Sequence, residues 1–382
     1  MIPYGRQLVD DEDIRAVADV LRSDWLTTGP QVRAFEDALA GFCGARHAVA
    51  VSSGTAALHS AMKVLGVGPG DEVIIPAMTF VATANAVLFE GGTPVFSDVD
   101  PATLLLDPKA VEGLVTPRTK AVVAVDYAGQ PCDYQALSAI CRRHGLALVA
   151  DSCHALGAQS NNRMVGTLAD LTAFSFHPVK HITTGEGGMV VTNRDDLVAP
   201  LRRFRNHGIS TDHRERAEAG TWQYEMLELG YNYRMTDFQC ALGISQLRKL
   251  PAWLERRRAI ARRYATAFES VPEIRLLDTT PGTLHAFHLY VVRLRRERLR
   301  SGRAAVFSEL RSRGIGVNVH YLPVHLHAYY RTRFGTGPGM FPQAEAAYEE
   351  ILSLPMHAGL TDAEVDNVIA AVRAVVGELT EH

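Results

Sequence analysis

The chain has 382 residues, 47% of them hydrophobic and 21% charged, with a formal net charge of -3. That balance is ordinary for globular proteins, the length suits about two domains, and the charge excludes an electrostatic footprint for nucleic acid or an anionic membrane. Five scattered cysteines with no C-x-x-C spacing exclude a disulfide framework or zinc motif, and neither an apolar run long enough to span a bilayer nor a signal-peptide core is visible, so a cytoplasmic protein with reduced thiols is expected.

Ile14, Val17, Ala18 and Leu21 recur at helical spacing and predict an amphipathic helix. Residues 49–57 (VAVSSGTAA) read as a strand running through Ser52, Ser53, Gly54 and Thr55 into a helix over 55–66. Short apolar runs follow at 72–77 (EVIIPA), 93–99, 120–129, 146–152 (LALVADS), 171–176 (LTAFSF) and 188–192 (GMVVT), with helical stretches such as 80–90 and 133–144 between them. Runs apolar on both faces and separated by helices predict an α/β fold with a mainly parallel central sheet covered on both sides. Ligands of such sheets bind beyond the carboxyl ends of the strands.

After about residue 235 helical segments dominate, at 236–270, 302–314, 343–352 and 361–377, with strand-like runs at 287–294 (FHLYVVRL) and 315–321 (IGVNVHY). This predicts a large domain over 1–235 and a smaller C-terminal α+β domain over 236–382. The basic stretch Arg256 to Arg263 reads as the solvated face of a helix whose other face carries Ile260, Tyr264 and Phe268.

Three strand ends carry candidate chemistry. The Ser52–Thr55 turn leads into a helix whose first N–H groups can receive a phosphate, although a plain helix cap has the same appearance. Asp151 closes a buried strand, where it is either a turn residue or a carboxylate held for a buried cation. Lys180 follows SFHPV between a buried strand and the turn ITTGEGG. A lone lysine is usually a solvated charge, but one held at such a place can have a lowered pKa and form a Schiff base. Lysine for an aldehyde, carboxylate for a pyridine nitrogen and anion site for a phosphate together fit pyridoxal 5'-phosphate. No G-x-G-x-x-G or G-x-x-x-x-G-K-[ST] supports a nicotinamide or nucleoside triphosphate site.

Across WLTTGP (25–30), SSGTAAL (52–58), DSCHALGA (151–158), SFHPVKHITTGEGG (175–188) and GYNYRMTDFQCALG (230–243) the sequence resembles the DegT/DnrJ/EryC1/StrS sugar aminotransferases, which are fold-type I pyridoxal-phosphate enzymes. The resemblance covers essentially the whole chain and implies these roles. Lys180 carries the cofactor and shuttles the proton, and Asp151 pairs with the ring nitrogen. His154 lies beside the ring hydroxyl and Phe80 stacks on the ring. Thr55, Ala56 and Ser175 contact the phosphate, and Asn232 reaches the phosphate of the partner in a homodimer with shared sites. Substrate-side candidates are Tyr4, Arg6, His177, Arg234, His320, Tyr321 and His325. For each histidine a hydrogen-bonded structural role is the plain alternative.

PYGRQ (3–7), LELGYNYR (227–234) and VHYLPVHLHAYY (319–330) are similar to the branch of the family in pseudaminic acid biosynthesis. That implies transfer of an amino group from L-glutamate to the C4 ketone of a UDP-linked 6-deoxy-N-acetyl-hexos-4-ulose. His181 and Gly185 stand where that branch is expected to have Pro and Ala, a departure that touches the sugar and not the cofactor. Rival expectations are another nucleotide-4-keto sugar (a 4-keto-arabinose or perosamine precursor) and a non-catalytic cofactor-binding regulator. A sugar 3-dehydrase is disfavoured because those relatives carry histidine where Lys180 stands.

Overall fold

Thirteen strands are present in a computed structural model that describes residues 1–380. Seven form the central sheet: β1 (His47–Val51), β2 (Glu72–Pro76), β3 (Thr93–Ser97), β4 (Thr119–Val125), β5 (Ala147–Asp151), β8 (Leu171–Ser175) and β9 (Gly188–Thr192), with β6 (Gln159–Ser160) and β7 (Arg163–Met164) lying apart. The order is β1-β9-β8-β5-β4-β2-β3, and β9 alone runs against the others. β2 and β9 are buried at every position, as strands covered on both faces must be. Helices Gly54–Val64, Val81–Phe89 and Tyr134–His144 follow their strands closely, so strand ends and helix starts gather along one edge. The sheet is mainly parallel and the architecture is α/β, as the run pattern predicts.

The remaining strands are β10 (Ile274–Leu276), β11 (Thr283–Leu284), β12 (Tyr290–Leu294) and β13 (Ile351–Leu354). β10, β12 and β13 make a three-stranded antiparallel sheet, and β11 joins β6 and β7 in another. The helix Asp237–Phe268 begins with a capping box between Thr236 and Gln239. Its Cys240, Leu247, Leu250 and Leu254 enter the core of the large sheet. Farther along, Ile260, Tyr264 and Phe268 enter a second core with Val292, Leu352 and Val368. Ile2 also packs on that second core, its amide donating to the Gly314 carbonyl at 2.8 Å.

Four expectations need correction. In the helix Asp11–Leu21, Ile14 and Leu21 are both 58% exposed, while Asp13 is fully buried and takes Gln246 and Lys249 as partners. The segment 315–321 forms no strand and makes only single bridges, Ile315 to Ile2 and Asn318 to Ser353. Helix Pro342–Glu350 stops short of 352, and the buried run ILSL becomes β13. The basic stretch is not wholly solvated, because Arg257 and Arg258 are buried. The five cysteines are free thiols. Among the described residues no helix is long and apolar enough to cross a membrane.

Candidate active site

The carboxyl ends of β1, β2, β5 and β8 open on one cavity of about 520 Å³. Asp151 is the last residue of β5 and is 6% exposed. Its Oδ2 accepts from the Thr83 hydroxyl at 2.7 Å and its Oδ1 from the Cys153 amide at 3.3 Å. Lys180 lies on the loop that reverses β8 into β9. That loop is closed by the amide of Thr184 donating to the Phe176 carbonyl and the amide of Phe176 donating to Gly187. Burial pulls the Lys180 ammonium below its ordinary pKa, and the neighbouring Cys153 and Asp151 oppose that shift.

Opposite them, the helix Gly54–Val64 starts at the cavity wall. Ser53 caps it, its Oγ accepting from the Ala56 amide at 3.0 Å, and the Ser53 carbonyl takes the Ala57 amide. The amides of Gly54 and Thr55 have no protein acceptor among the described residues, and both residues line the cavity. Gly54 is required sterically. A Cβ there would lie 2.8 Å from the Ser175 Cβ and 3.2 Å from the Cys153 sulfur.

The far wall comes from the second half of the chain. The Tyr321 hydroxyl meets His154 Nε2 at 3.1 Å, while His154 Nδ1 is buried without a partner. Burial, then the Lys180 charge, holds His154 well below the ordinary histidine pKa, so its ring is neutral. His320 Nδ1 meets the Ser353 hydroxyl at 2.8 Å, and burial lowers its pKa to about 4. The Tyr127 hydroxyl donates to the His320 carbonyl and pins this segment. Phe80 is 54% exposed at the cavity, its ring centroid 5.7 Å from that of Tyr321.

The cavity thus gathers Tyr4, Thr55, Phe80, Asp151, His154, Ser175, His177, Lys180, His320 and Tyr321 from positions far apart in sequence. Other expected residues are not brought to it. Ala56 is buried with its amide spent on Ser53. Arg6 lines an adjoining crevice. Asn232 pairs with Asn206 in an isolated bridge, and Arg234 donates to the Asn206 side chain at 2.7 Å. His325 is fully buried, with its Nε2 2.9 Å from Glu345 Oε1 and its ring against Phe341. That is a structural setting.

Sequence reasoning missed Thr79, Cys153, Glu186, His288 and Asn318 in the lining. The strand-end rule itself points to Thr79 and Cys153. No local signal marks His288, whose ring lies 4.4 Å from that of His154 and 5.5 Å from that of His181. Gly185, one of the two departures, has φ +78°, a conformation that suits glycine.

The residues fit the cofactor named by the sequence pattern. A buried carboxylate, a lysine of lowered pKa, two free helix amides beside a serine hydroxyl and an unpartnered imidazole nitrogen face one space. Fold and cavity together define a pyridoxal-phosphate-dependent aminotransferase of fold type I. The model of the DegT/DnrJ/EryC1/StrS aminotransferase family matches residues 7–373, and the chain belongs to that family.

The chain is 43% identical over 377 residues to the spore coat polysaccharide biosynthesis protein SpsC of Bacillus subtilis, covering 98% of this chain and 97% of that one. Its structure is similar to Helicobacter pylori PseC, an aminotransferase involved in the biosynthesis of pseudaminic acid. The TM-score is 0.93 at 35% identity, covering 99% of each chain. It is also similar to a Streptococcus pneumoniae protein solved in PLP and PMP forms, with TM-scores of 0.92 and 0.94 at 33% identity, covering 99% of this chain and 99% and 100% of the other. The chain is a sugar aminotransferase that uses pyridoxal 5'-phosphate, a nucleotide sugar and an amino donor.

Proposed function

We propose that the enzyme transfers the amino group of L-glutamate to the C4 ketone of a UDP-linked 6-deoxy-N-acetyl-hexos-4-ulose, giving UDP-4-amino-4,6-dideoxy-N-acetyl-β-L-altrosamine. The observation that carries the chemistry is a lysine of lowered pKa sharing one cavity with a buried carboxylate and an open helix start. Likeness to PseC over nearly the whole chain supports the choice of sugar.

When bound, pyridoxal phosphate supplies an aldehyde that binds amino groups and a ring that accepts an electron pair. Asp151 would hold a proton on the ring nitrogen, steadied by Thr83. The amides of Gly54 and Thr55, with the Ser175 hydroxyl, would hold the phosphate, while Ala56 is engaged in the cap. Phe80 would cover one face of the ring, and His154 with Tyr321 would flank its edge. Lys180 Nζ, being less basic than an exposed lysine, accepts the proton from the donor Cα and later delivers one to the sugar C4. Such placed proton transfer contributes about a hundred- to ten-thousand-fold to rate. Tyr4, His177 and His320 line the same cavity and would meet the sugar.

Incubating the purified enzyme with glutamate and a panel of UDP- and GDP-linked 4-keto sugars, with products identified by mass and NMR, tests this reading. The UDP-N-acetyl-hexosulose should react best. A preference for a 4-keto-arabinose or perosamine precursor would replace the sugar, and the SpsC likeness makes that panel worth running in full. Cofactor binding without any product would favour a regulator.

A further inference from the structure

Beside Asp151 lies a second carboxylate to which the chemistry above gives no task. Asp126 follows β4 directly, and the register that pairs Val125 with Asp151 sets it just beyond the strand end. Its amide donates to the Asp151 carbonyl at 3.1 Å. Val125 and Asp151 line the cavity, while Asp126 stays out of the lining and is fully buried. Its Oδ1 accepts from the Cys132 amide at 2.9 Å and the Tyr134 hydroxyl at 2.8 Å, and its Oδ2 from the Ser152 hydroxyl at 2.6 Å. No cationic side chain offsets it among the described residues.

A buried carboxylate without a cation is costly to ionise. Burial pushes the Asp126 carboxyl up to about 7, with Asp151 adding to the rise and the three donors opposing it. The proton it takes has a defined place. The Cys132 amide can only donate, so Oδ1 stays an acceptor, whereas Ser152 can turn its hydroxyl to accept a proton carried on Oδ2. Ser152 also begins the turn that presents His154, its carbonyl taking the Ala155 amide at 2.8 Å. Asp126 therefore grips both the backbone of Asp151 and the turn that follows it. Cys132 and Tyr134 are the other titratable groups against it, and burial raises both well above their ordinary values, so neither ionises near neutrality.

The positive charge that Asp126 lacks would arrive with the coenzyme, whose protonated ring nitrogen would sit on Asp151. We propose that Asp126 is a positioning residue that acts through Asp151: ionised when the protonated ring docks, it adds a second negative charge to the ring-nitrogen end of the site and fixes the turn from Asp151 to His154. The inference rests on the pyridoxal-phosphate reading, and it requires docking of the ring to expel a proton from Asp126.

The test titrates apoenzyme calorimetrically, in buffers of different ionisation enthalpy, with 4'-deoxypyridoxine 5'-phosphate. This probe has the ring nitrogen and the phosphate but no aldehyde for Lys180. Asp126→Asn keeps an oxygen for Cys132 and Tyr134 and offers Ser152 an N–H, so the shape of the site is preserved. Wild type should release about 0.4 more protons per site at pH 7 than this variant, as a group near 7 does when binding lowers it by about one unit. Wild-type affinity should climb from near parity with the variant at about pH 5.5 to about tenfold tighter at about pH 8.5. A merely structural Asp126 would alter affinity without altering the proton count. Tyr134→Phe gives a second arm: loss of one donor raises Asp126 further, so the pH of greatest proton release should move upward. Equal proton release in wild type and Asp126→Asn, or a release profile that Tyr134→Phe leaves unmoved, would overturn the proposal while the coenzyme reading stands. Wild type that binds no probe at all would sink both.

Discussion

The ε-amine of Lys180 is drawn two ways, since burial favours its neutral form while Asp151 and Cys153 favour the charged one. Burial dominates, which suits a group that must act as a nucleophile and then as a base. Lys180→Ala should abolish turnover and the visible absorbance of the lysine-bound cofactor in the purified protein. A coloured, active variant would remove Lys180 from its proposed role. A second residue-scale expectation concerns pH. Burial, reinforced by the Arg257 charge, lowers His357 from 6.5 to about 4. Between those values the unfolded chain binds the proton that the fold refuses. The stabilisation is therefore complete above pH 6.5 and is lost as pH falls towards 4. His357→Gln should lessen the acid loss by on the order of 1–3 kcal/mol in urea titrations compared near pH 7 and 4.5. Lys180 and Asp151 were legible in sequence because each sits where a buried run ends. His325 was not, because its partner Glu345 meets it only through folding of the 325–345 segment. His288 reaches the cavity only through the packing of the segment before β12 against His154.

At the scale of elements, patterning succeeded where burial is two-sided and continuous. β2, β4, β5, β8 and β9 follow their apolar runs closely, and the helix Asp237–Phe268 matches its periodic stretch. It failed where neighbours decide. IGVNVHY has strand composition, yet it meets Ile2 on one side and Ser353 on the other at single points. ILSL continues a helical period but is recruited as a strand beside β12. The turn from β1 into Gly54–Val64 shows how a single atom can govern an element. Gly54→Ala places a methyl group against Ser175 and Cys153, which should cost about 1–3 kcal/mol in strain. It should also shift the helix start, so titration of the apoenzyme with pyridoxal phosphate should show weaker binding than wild type. Equal affinity would mean the helix start does not hold the phosphate.

At the scale of the molecule, the segment between Asn206 and Asn232 leaves Trp222 83%, Leu229 69% and Met226 62% exposed. Large apolar residues left exposed along one segment suit an interaction surface. We propose that a second copy of the chain covers it in a homodimer and that Asn232 then reaches the partner's phosphate site. Neither Lys180→Ala nor Asn232→Ala alone should be active. Mixed subunits should recover about a quarter of wild-type activity, because half of the random dimers carry one intact site. No recovery on mixing would make each site complete within its own subunit. The proposed division into 1–235 and 236–382 places the helix Asp237–Phe268 in the second unit, although its Cys240–Leu254 half packs in the larger core.

The junction of Ile2 with Gly314 and Ile315 also governs the order in which the pocket can be completed during synthesis. Gly54, Asp151 and Lys180 leave the ribosome early, and the sheet that carries them can close while translation continues. Tyr4 must wait, because its carbonyl is gripped by the amide of Met356. The nascent enzyme therefore acquires the floor proposed to hold the coenzyme before it acquires the wall that Tyr4 completes.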